Sequence, residues 1–345
     1  MQRIPWERLV RFGTSLLTAK GTPEAAARHI SEIAVQTEAY GIPTHGVRIF
    51  SYFERMVGEE IDPRAEPVLV RETPATALID GNRAFGQLAM KLATEIATRK
   101  AKSEGIAMVA VRDTFWIAGL AVYMIPLAEA GFLAQLWVQH SSGRDCAPFG
   151  GTEPRFSTNP VAFTFPTGTV PMISDFSTSV VAMGKVGDWI RKGEKAKDEL
   201  FLDSDGKLTD DPTVMRQSGT MLFEGGAKRG YKGFAMSLWS EALTAMAGGR
   251  TNNPDNPSRQ SFNLTVIDPE AFAGSDAYHA EMKQFVVRVK SSRLRPGFTE
   301  IRLPGERGLK ALAEARKKGI PLDDAALERL NALAQKSGLP RVSAE

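Results

Sequence analysis

The stretch IAMVAVRDTFWIAGLAVYMIPLAEAGFLAQLWV, residues 106–138, decides the fold class. Its opening run, Ile106–Val111, is short and apolar, as in a buried strand. Leu120–Ala130 has a helical pattern stopped by Gly131, and Phe132–Val138 returns to strand composition. Strand, helix and strand in succession predict an α/β chain. Working towards the N-terminus, Phe85–Gly105 carries Leu88, Leu92, Ile96 and Ala97 on one helical stripe. A short strand, Thr76–Ile79, precedes the turn Asp80-Gly81-Asn82. Towards the C-terminus, Phe149-Gly150-Gly151 leads into strands at Val161–Phe165 and Met172–Phe176. Gly184–Pro212, rich in Gly, Lys and Asp, reads mostly as loop. Lys232–Ala247 is a helix ending at Gly248-Gly249, and Arg250–Arg259 is a polar surface loop. Ser261–Ile267 and Gln284–Val289 alternate like strands.

Both chain ends are helical. Trp6–Ala19 places Leu9, Phe12, Leu16 and Leu17 on one face, and Thr22-Pro23 is an N-cap with proline opening a helix to about Tyr40. A third helix is expected from His45 to about Val57, after which Pro63 and Pro67 mark a connection. Leu309–Lys317 and Asp323–Lys336 are helices at the other end.

The 345 residues suffice for two packed units or one large one, and 43% hydrophobic with 24% charged residues is ordinary for a globular protein. Net charge is only +3. The locally basic Lys185–Lys197 is broken by Asp188 and Glu194, so no nucleic-acid partner is expected. Apolar runs such as Ala107–Val111 and Phe132–Val138 are too short to span a bilayer, and Met1–Trp6 lacks the apolar core of a secretory signal. No membrane partner and a cytoplasmic location are the expectations. The single cysteine, Cys146, allows neither an intramolecular disulfide nor a cysteine-cluster metal site. His29, His45, His140 and His279 are scattered without metal-ligand spacing, so no metal is expected.

Chemistry concentrates in Thr44-His45-Gly46-Val47-Arg48. Thr44 reads as an N-cap after Pro43, and His45 and Arg48, three apart, then project from one face of a helix start. An imidazole that moves a proton beside a guanidinium that grips a carboxylate suits hydride exchange on a 2-oxo or 2-hydroxy acid. The plainer reading is a solvated helix start. No GxGxxG or GxxxxGK[ST] occurs, so a nucleotide would need another cradle. Three segments offer one: Asp175-Phe176-Ser177-Thr178-Ser179, Gly230-Tyr231-Lys232-Gly233 and Leu303-Pro304-Gly305-Glu306-Arg307. Each alone is equally an ordinary turn.

Taken in order with Ala147-Pro148-Phe149-Gly150-Gly151, Thr158-Asn159-Pro160 and Ile267-Asp268-Pro269, these segments make the chain resemble the malate/L-lactate dehydrogenase family that is not Rossmann-based. Ureidoglycolate dehydrogenase, sulfolactate dehydrogenase, diketogulonate reductase and piperideine-2-carboxylate reductase belong to it. The resemblance covers nearly the whole chain. It implies a fold of α+β type, with a mixed, largely antiparallel sheet flanked by helices. It also implies a helical substrate and dimerisation domain from both chain ends (1–75 with 308–345) beside a cofactor domain (76–307). NAD or NADP would be held by Asp175, Phe176, Ser177, Thr178, Ser179, Tyr231, Lys232, Pro304, Gly305, Glu306 and Arg307. Thr44, Arg48 and Asn159 would bind a small-molecule substrate. The expected assembly is a homodimer with the active site at the subunit boundary.

One departure stands out. Where the family commonly reads R-N-S-N-H, this chain has Arg112-Asp113-Thr114-Phe115-Trp116, and an indole cannot shuttle a proton. Where T-N-S is usual it has Val138-Gln139-His140. Trp116 is expected to reshape the substrate pocket, and His140 to replace part of the lost imidazole from the opposite wall. His45, Arg48, His140 and Trp116 are therefore the expected catalytic constellation. The implied activity is NAD(P)-dependent hydride transfer on a 2-hydroxy/2-oxo acid. A cyclic α-imino acid reductase and a nucleotide-binding relative without redox chemistry are the alternatives.

Overall fold

In the computed structural model, which describes residues 2–343, the chain opens on β1 (Gln2–Ile4) and the helices α1 (Trp6–Ala19), α2 (Glu24–Tyr40) and α3 (Ile49–Met56). Then come β2 (Val68–Glu72), β3 (Thr76–Asp80), α4 (Gly86–Glu104), β4 (Ile106–Thr114), α5 (Ala121–Glu129) and β5 (Leu133–His140). The next segment holds β6 (Val161–Phe165), β7 (Met172–Phe176), α6 (Met183–Lys192), β8 (Phe201–Leu202), β9 (Leu208–Thr209) and β10 (Thr220–Met221). Last are α7 (Gly226–Arg229), α8 (Tyr231–Met246), β11 (Gln260–Ile267), α9 (Ser275–Lys290), α10 (Glu306–Lys318), β12 (Ile320–Leu322) and α11 (Asp324–Lys336).

Seven strands form the main sheet in the order β2-β3-β4-β11-β5-β6-β7. Only β3 and β4, joined through α4, run parallel; every other neighbouring pair is antiparallel. This is the mixed, largely antiparallel sheet implied by the family motifs. β11 is central because Phe262, Leu264 and Val266 are completely buried while Asn263 and Thr265, on its other face, are also covered. α4 packs on β3, β4 and β11, α5 on β5, β6 and β7, and α8 on β4, β11 and β5. The chain ends are stitched together: β1 pairs antiparallel with β12 in the register Gln2↔Leu322 to Ile4↔Ile320, and α10 packs on α2. A smaller core of Cys146, Phe156, Val186, Phe201, Met221 and Phe223 lies under α6 and the sheet β10-β8-β9.

Four local expectations are corrected. Thr22 does not cap α2; Pro23 holds that position, and the buried Thr22 hydroxyl has no partner. β2, read as a connection, is an edge strand exposed along its whole length, so burial left no alternating pattern to read. α6 replaces the loop expected near Gly184. Its two glycines lower helix propensity, yet burial of Val186 and the left-handed Gly193 after its last turn hold it. α9 replaces the strand expected at Gln284–Val289. None of its residues is buried, so Phe285, Val286, Val287 and Val289 mimicked a strand without any sheet neighbour to pair with. Among the described residues no helix is long and apolar enough to cross a membrane.

Candidate active site

α2 stops at Gly41 in the left-handed region (φ 94°), and residues 42–48 run through successive turns before α3. The helix expected from His45 thus begins later, at Ile49, with Arg48 in the N-cap position. Thr44 is no cap either: its Oγ1 lies 2.9 Å from His45 Nδ1. The reason is that Glu38 reaches up from α2 and accepts the Val47 N–H at 3.0 Å, supplying from another helix what a cap would supply locally. Burial pushes the Glu38 carboxyl up to about 7. Gly46 must be glycine for this contact, since a Cβ there would stand 2.8 Å from Glu38 Cα. Gly46→Ala is therefore expected to lower stability by about 1–3 kcal/mol through overpacking, read as a drop in Tm, with turnover falling as the turn shifts. A variant matching the parent in both would contradict this account of the turn.

That turn forms one wall of a cavity of about 400 Å³. His45, Arg48 and Tyr52 line it together with Trp116, His140, Met183, Gly184 and Gln260. The sequence-selected His45, Arg48, Trp116 and His140, from three distant segments, thus surround one space. His45 presents an accessible ring to the cavity, yet surrounding protein desolvates it; that desolvation, then repulsion from Arg48, lowers its pKa. With Nδ1 held by a rotatable hydroxyl that serves as donor or acceptor, Nε2 is left as the working nitrogen in either protonation state. Arg48 lies 3.4 Å from Asp188 on α6, and Asp188 is held more closely by Arg191 at 2.7 Å.

His140 is placed differently. Its Nδ1 faces the Ser142 N–H at 3.4 Å and Nε2 lies 3.0 Å from Ser258 Oγ, which makes it a neutral imidazole donating from Nε2. Desolvation lowers its pKa to about 4. Trp116 meets Tyr52 edge-on, ring centroids 4.5 Å apart at 74°. Its loop is clamped by Gly86, where a Cβ would stand 2.7 Å from Ile117 Cγ2, and by a Tyr123 hydroxyl donating to the Ile117 carbonyl. Asp113 and Ala118, either side of it, and Asn159 across the cavity all have positive φ (51°, 75° and 31°), backbone strain gathered at one place. Asn159 itself does not reach the cavity. Its side chain is buried and its amide donates to Ser237 at 2.9 Å and Glu241 at 3.0 Å, which fixes the loop whose Ser157, Thr158 and Pro160 do line the space. Its expected contact with substrate gives way to a positioning role.

The three nucleotide-cradle segments meet β7 or the loop that follows it. Ile173 on that strand donates to the Pro304 carbonyl at 3.0 Å, and Gly305 (φ 96°) leaves only 3.0 Å between a would-be Cβ and Ile173 N. Thr178 accepts from Glu224 N at 2.8 Å, and a Cβ on Gly233 would stand 2.6 Å from that same nitrogen, so α8 starts hard against the loop. Inside the segments the groups divide. Asp175 accepts from Ala121 N at 2.9 Å at the start of α5, and burial raises its pKa to about 6. The Ser177, Thr178 and Ser179 hydroxyls are spent on the carbonyls of Ser179, Thr158 and Val181. Phe176 packs against Phe163, and Glu306 is engaged with Lys290 and Leu303 N. Tyr231 lies against Phe149, while Lys232 and Arg307 are exposed and make no ion pair among the described residues. These two exposed cations and the close-approach glycines are what the segments leave to meet a ligand; the hydroxyl side chains contribute to the loop instead.

Sequence reading missed Tyr52, although it follows Arg48 by four residues and so shares its face. Asp188 and Gln260 carry no local signal; only the fold brings Gln260 to the cavity and Asp188 to Arg48.

The sequence profile described as malate/L-lactate dehydrogenase matches residues 4–331. The chain is 31% identical to a malate dehydrogenase of Pyrococcus abyssi across 98% of its own length and 95% of that protein. It is 30% identical to a Δ1-pyrroline-2-carboxylate/Δ1-piperideine-2-carboxylate reductase of Pseudomonas syringae pv. tomato, covering 96% of each. Its fold is similar to the solved structure of malate dehydrogenase from Pyrococcus horikoshii, with a TM-score of 0.88 at 29% identity over 98% and 96% of the two chains.

Proposed function

The chain belongs to the malate/L-lactate dehydrogenase family, and on that premise we propose that its cavity carries hydride transfer between a nicotinamide cofactor, NAD or NADP, and C2 of a small 2-hydroxy/2-oxo acid. The observation that supports this most is the meeting of His45 and Arg48 with Trp116 and His140 around one space. The cofactor, when bound, supplies or receives the hydride. Lys232 and Arg307 would hold its phosphates. The same reading assigns 1–75 with 308–345 to the helical part and 76–307 to the cofactor part, in a homodimer whose partner covers exposed apolar side chains such as Leu238, Trp239 and Met246 of α8.

In this reading Arg48 binds the substrate carboxylate bidentately, displacing Asp188, which remains neutralised by Arg191. Thr44 orients His45, and His45 Nε2 protonates the developing alkoxide during reduction and takes that proton back during oxidation. Trp116 provides a flat apolar wall where the family motif has an imidazole. His140 lines the vacated space as a neutral imidazole whose one N–H is given to Ser258; that contact has to open before it can serve the substrate, so the proton is assigned to His45. A cyclic imino acid reductase is the second reading, favoured by the similarity to the pyrroline/piperideine-carboxylate enzyme.

A screen following nicotinamide absorbance with both cofactors tests this. Apolar and aromatic 2-oxo acids are expected to be reduced faster than oxaloacetate, because Trp116 offers an apolar surface beside the reacting carbon. Preference for cyclic imines would establish the second reading. Tight cofactor binding with no turnover across the panel would replace both with a non-catalytic binding protein.

A further inference from the structure

Behind Trp116 lies a second chamber of about 410 Å³. Tyr52, Trp116, His140 and Gln260 line both chambers, so these four side chains form a partition rather than an end wall. The far side has a different chemistry. Arg259 lays its guanidinium over the Phe115 ring, 4.4 Å from the centroid, with only 17% of its side chain exposed. Its carboxylate contact is with Glu60 at 3.5 Å, a residue 46% exposed. Arg55 stands 5.3 Å from the Tyr52 centroid and has no carboxylate partner among the described residues. Beyond the lining, Asp113 attracts Arg259 and Arg83 repels it, so these two outer charges oppose each other. Two guanidiniums against one solvent-exposed carboxylate leave the chamber cationic. At the partition, the Gln260 Oε1 is buried without any hydrogen-bond partner, an acceptor waiting for a donor.

We propose that this chamber is the distal half of the substrate site. Resting on the reading above, it takes an anionic group at the far end of the substrate side chain, beyond the Tyr52–Trp116 pair, on Arg259 and Arg55. The substrate class becomes a 2-oxo or 2-hydroxy acid with an extended, flat side chain ending in an anion. A short diacid such as oxaloacetate, with a single methylene between its reacting carbon and second carboxylate, leaves that carboxylate beside the indole and short of the arginines. Arg259, desolvated on an aromatic face, is where a charge-assisted contact is strongest.

The test compares phenylpyruvate with 4-carboxyphenylpyruvate, as reductions and as equilibrium binding to the cofactor-loaded protein read by quenching of tryptophan fluorescence. The carboxylated acid is expected to have a KM and Kd lower by roughly tenfold, as one charge-assisted contact supplies. Arg259→Gln should erase that preference, and Arg55→Gln, at an exposed position that leaves the Phe115 stack intact, should reduce it. Equal affinity for the two acids in the parent, or a preference surviving both substitutions, would overturn the subsite. If neither acid is reduced, the hydride-transfer reading fails while the binding ratio still decides the subsite.

Discussion

Replacing His45 by alanine is expected to reduce kcat in both directions by about 10²–10⁴-fold, the usual worth of a positioned acid–base group. Folding should survive, because the ring is accessible and its one hydrogen bond is to the neighbouring Thr44. Cofactor affinity should also survive, since Lys232 and Arg307, the cations proposed to hold its phosphates, lie on other segments. His140→Ala should cost less, its proton being tied to Ser258. Steady-state rates for the two variants check this ordering; intact turnover in His45→Ala with loss in His140→Ala would assign the proton to the opposite wall. The sign of the pH dependence follows from a lowered pKa. Oxidation needs neutral His45, so its kcat/KM should fall only as pH drops through a value below the ordinary histidine pKa. Reduction needs the imidazolium and should weaken as pH rises through that same low value.

Arg48→Gln is expected to raise KM for 2-oxo acids by about 10²-fold, with a smaller effect on kcat, as a desolvated charged contact is lost. A second consequence separates binding from mere structure. Repulsion from Arg48 is the second cause, after desolvation, of the low His45 pKa, so removing it should move the acid limb of the oxidation profile towards higher pH. Lysine should not rescue KM fully, because an ammonium lacks the forked geometry. An unchanged KM with an unchanged pH profile would remove Arg48 from the site.

The central fold was legible because its strands are apolar and its helices end at glycines: β6 and β7 fall at Val161–Phe165 and Met172–Phe176 as the pattern requires, and α1 at Trp6–Ala19. What escaped was decided by distant partners. α6 forms because Val186 is buried against a small core that no local pattern announces, and it brings Asp188 to Arg48. The turn at His45 is shaped by Glu38 rather than by its own Thr44. β2 and α9 lie so exposed that burial left no periodicity to read. In the site, the types and order of His45, Arg48, Trp116 and His140 were readable. Burial of the Asn159 side chain and commitment of the Thr178 and Ser179 hydroxyls to neighbouring carbonyls were not, because spacing carries no information about which way a side chain turns.

The most direct measurement uses reduced NAD(P) carrying deuterium at the transferable C4 position, with phenylpyruvate as acceptor in ordinary water. Mass and NMR spectra of the isolated 2-hydroxy acid should show one deuterium at C2. Product bearing only solvent hydrogen there, or oxidation of the cofactor without a reduced acid, would contradict hydride delivery into the cavity between His45 and Trp116.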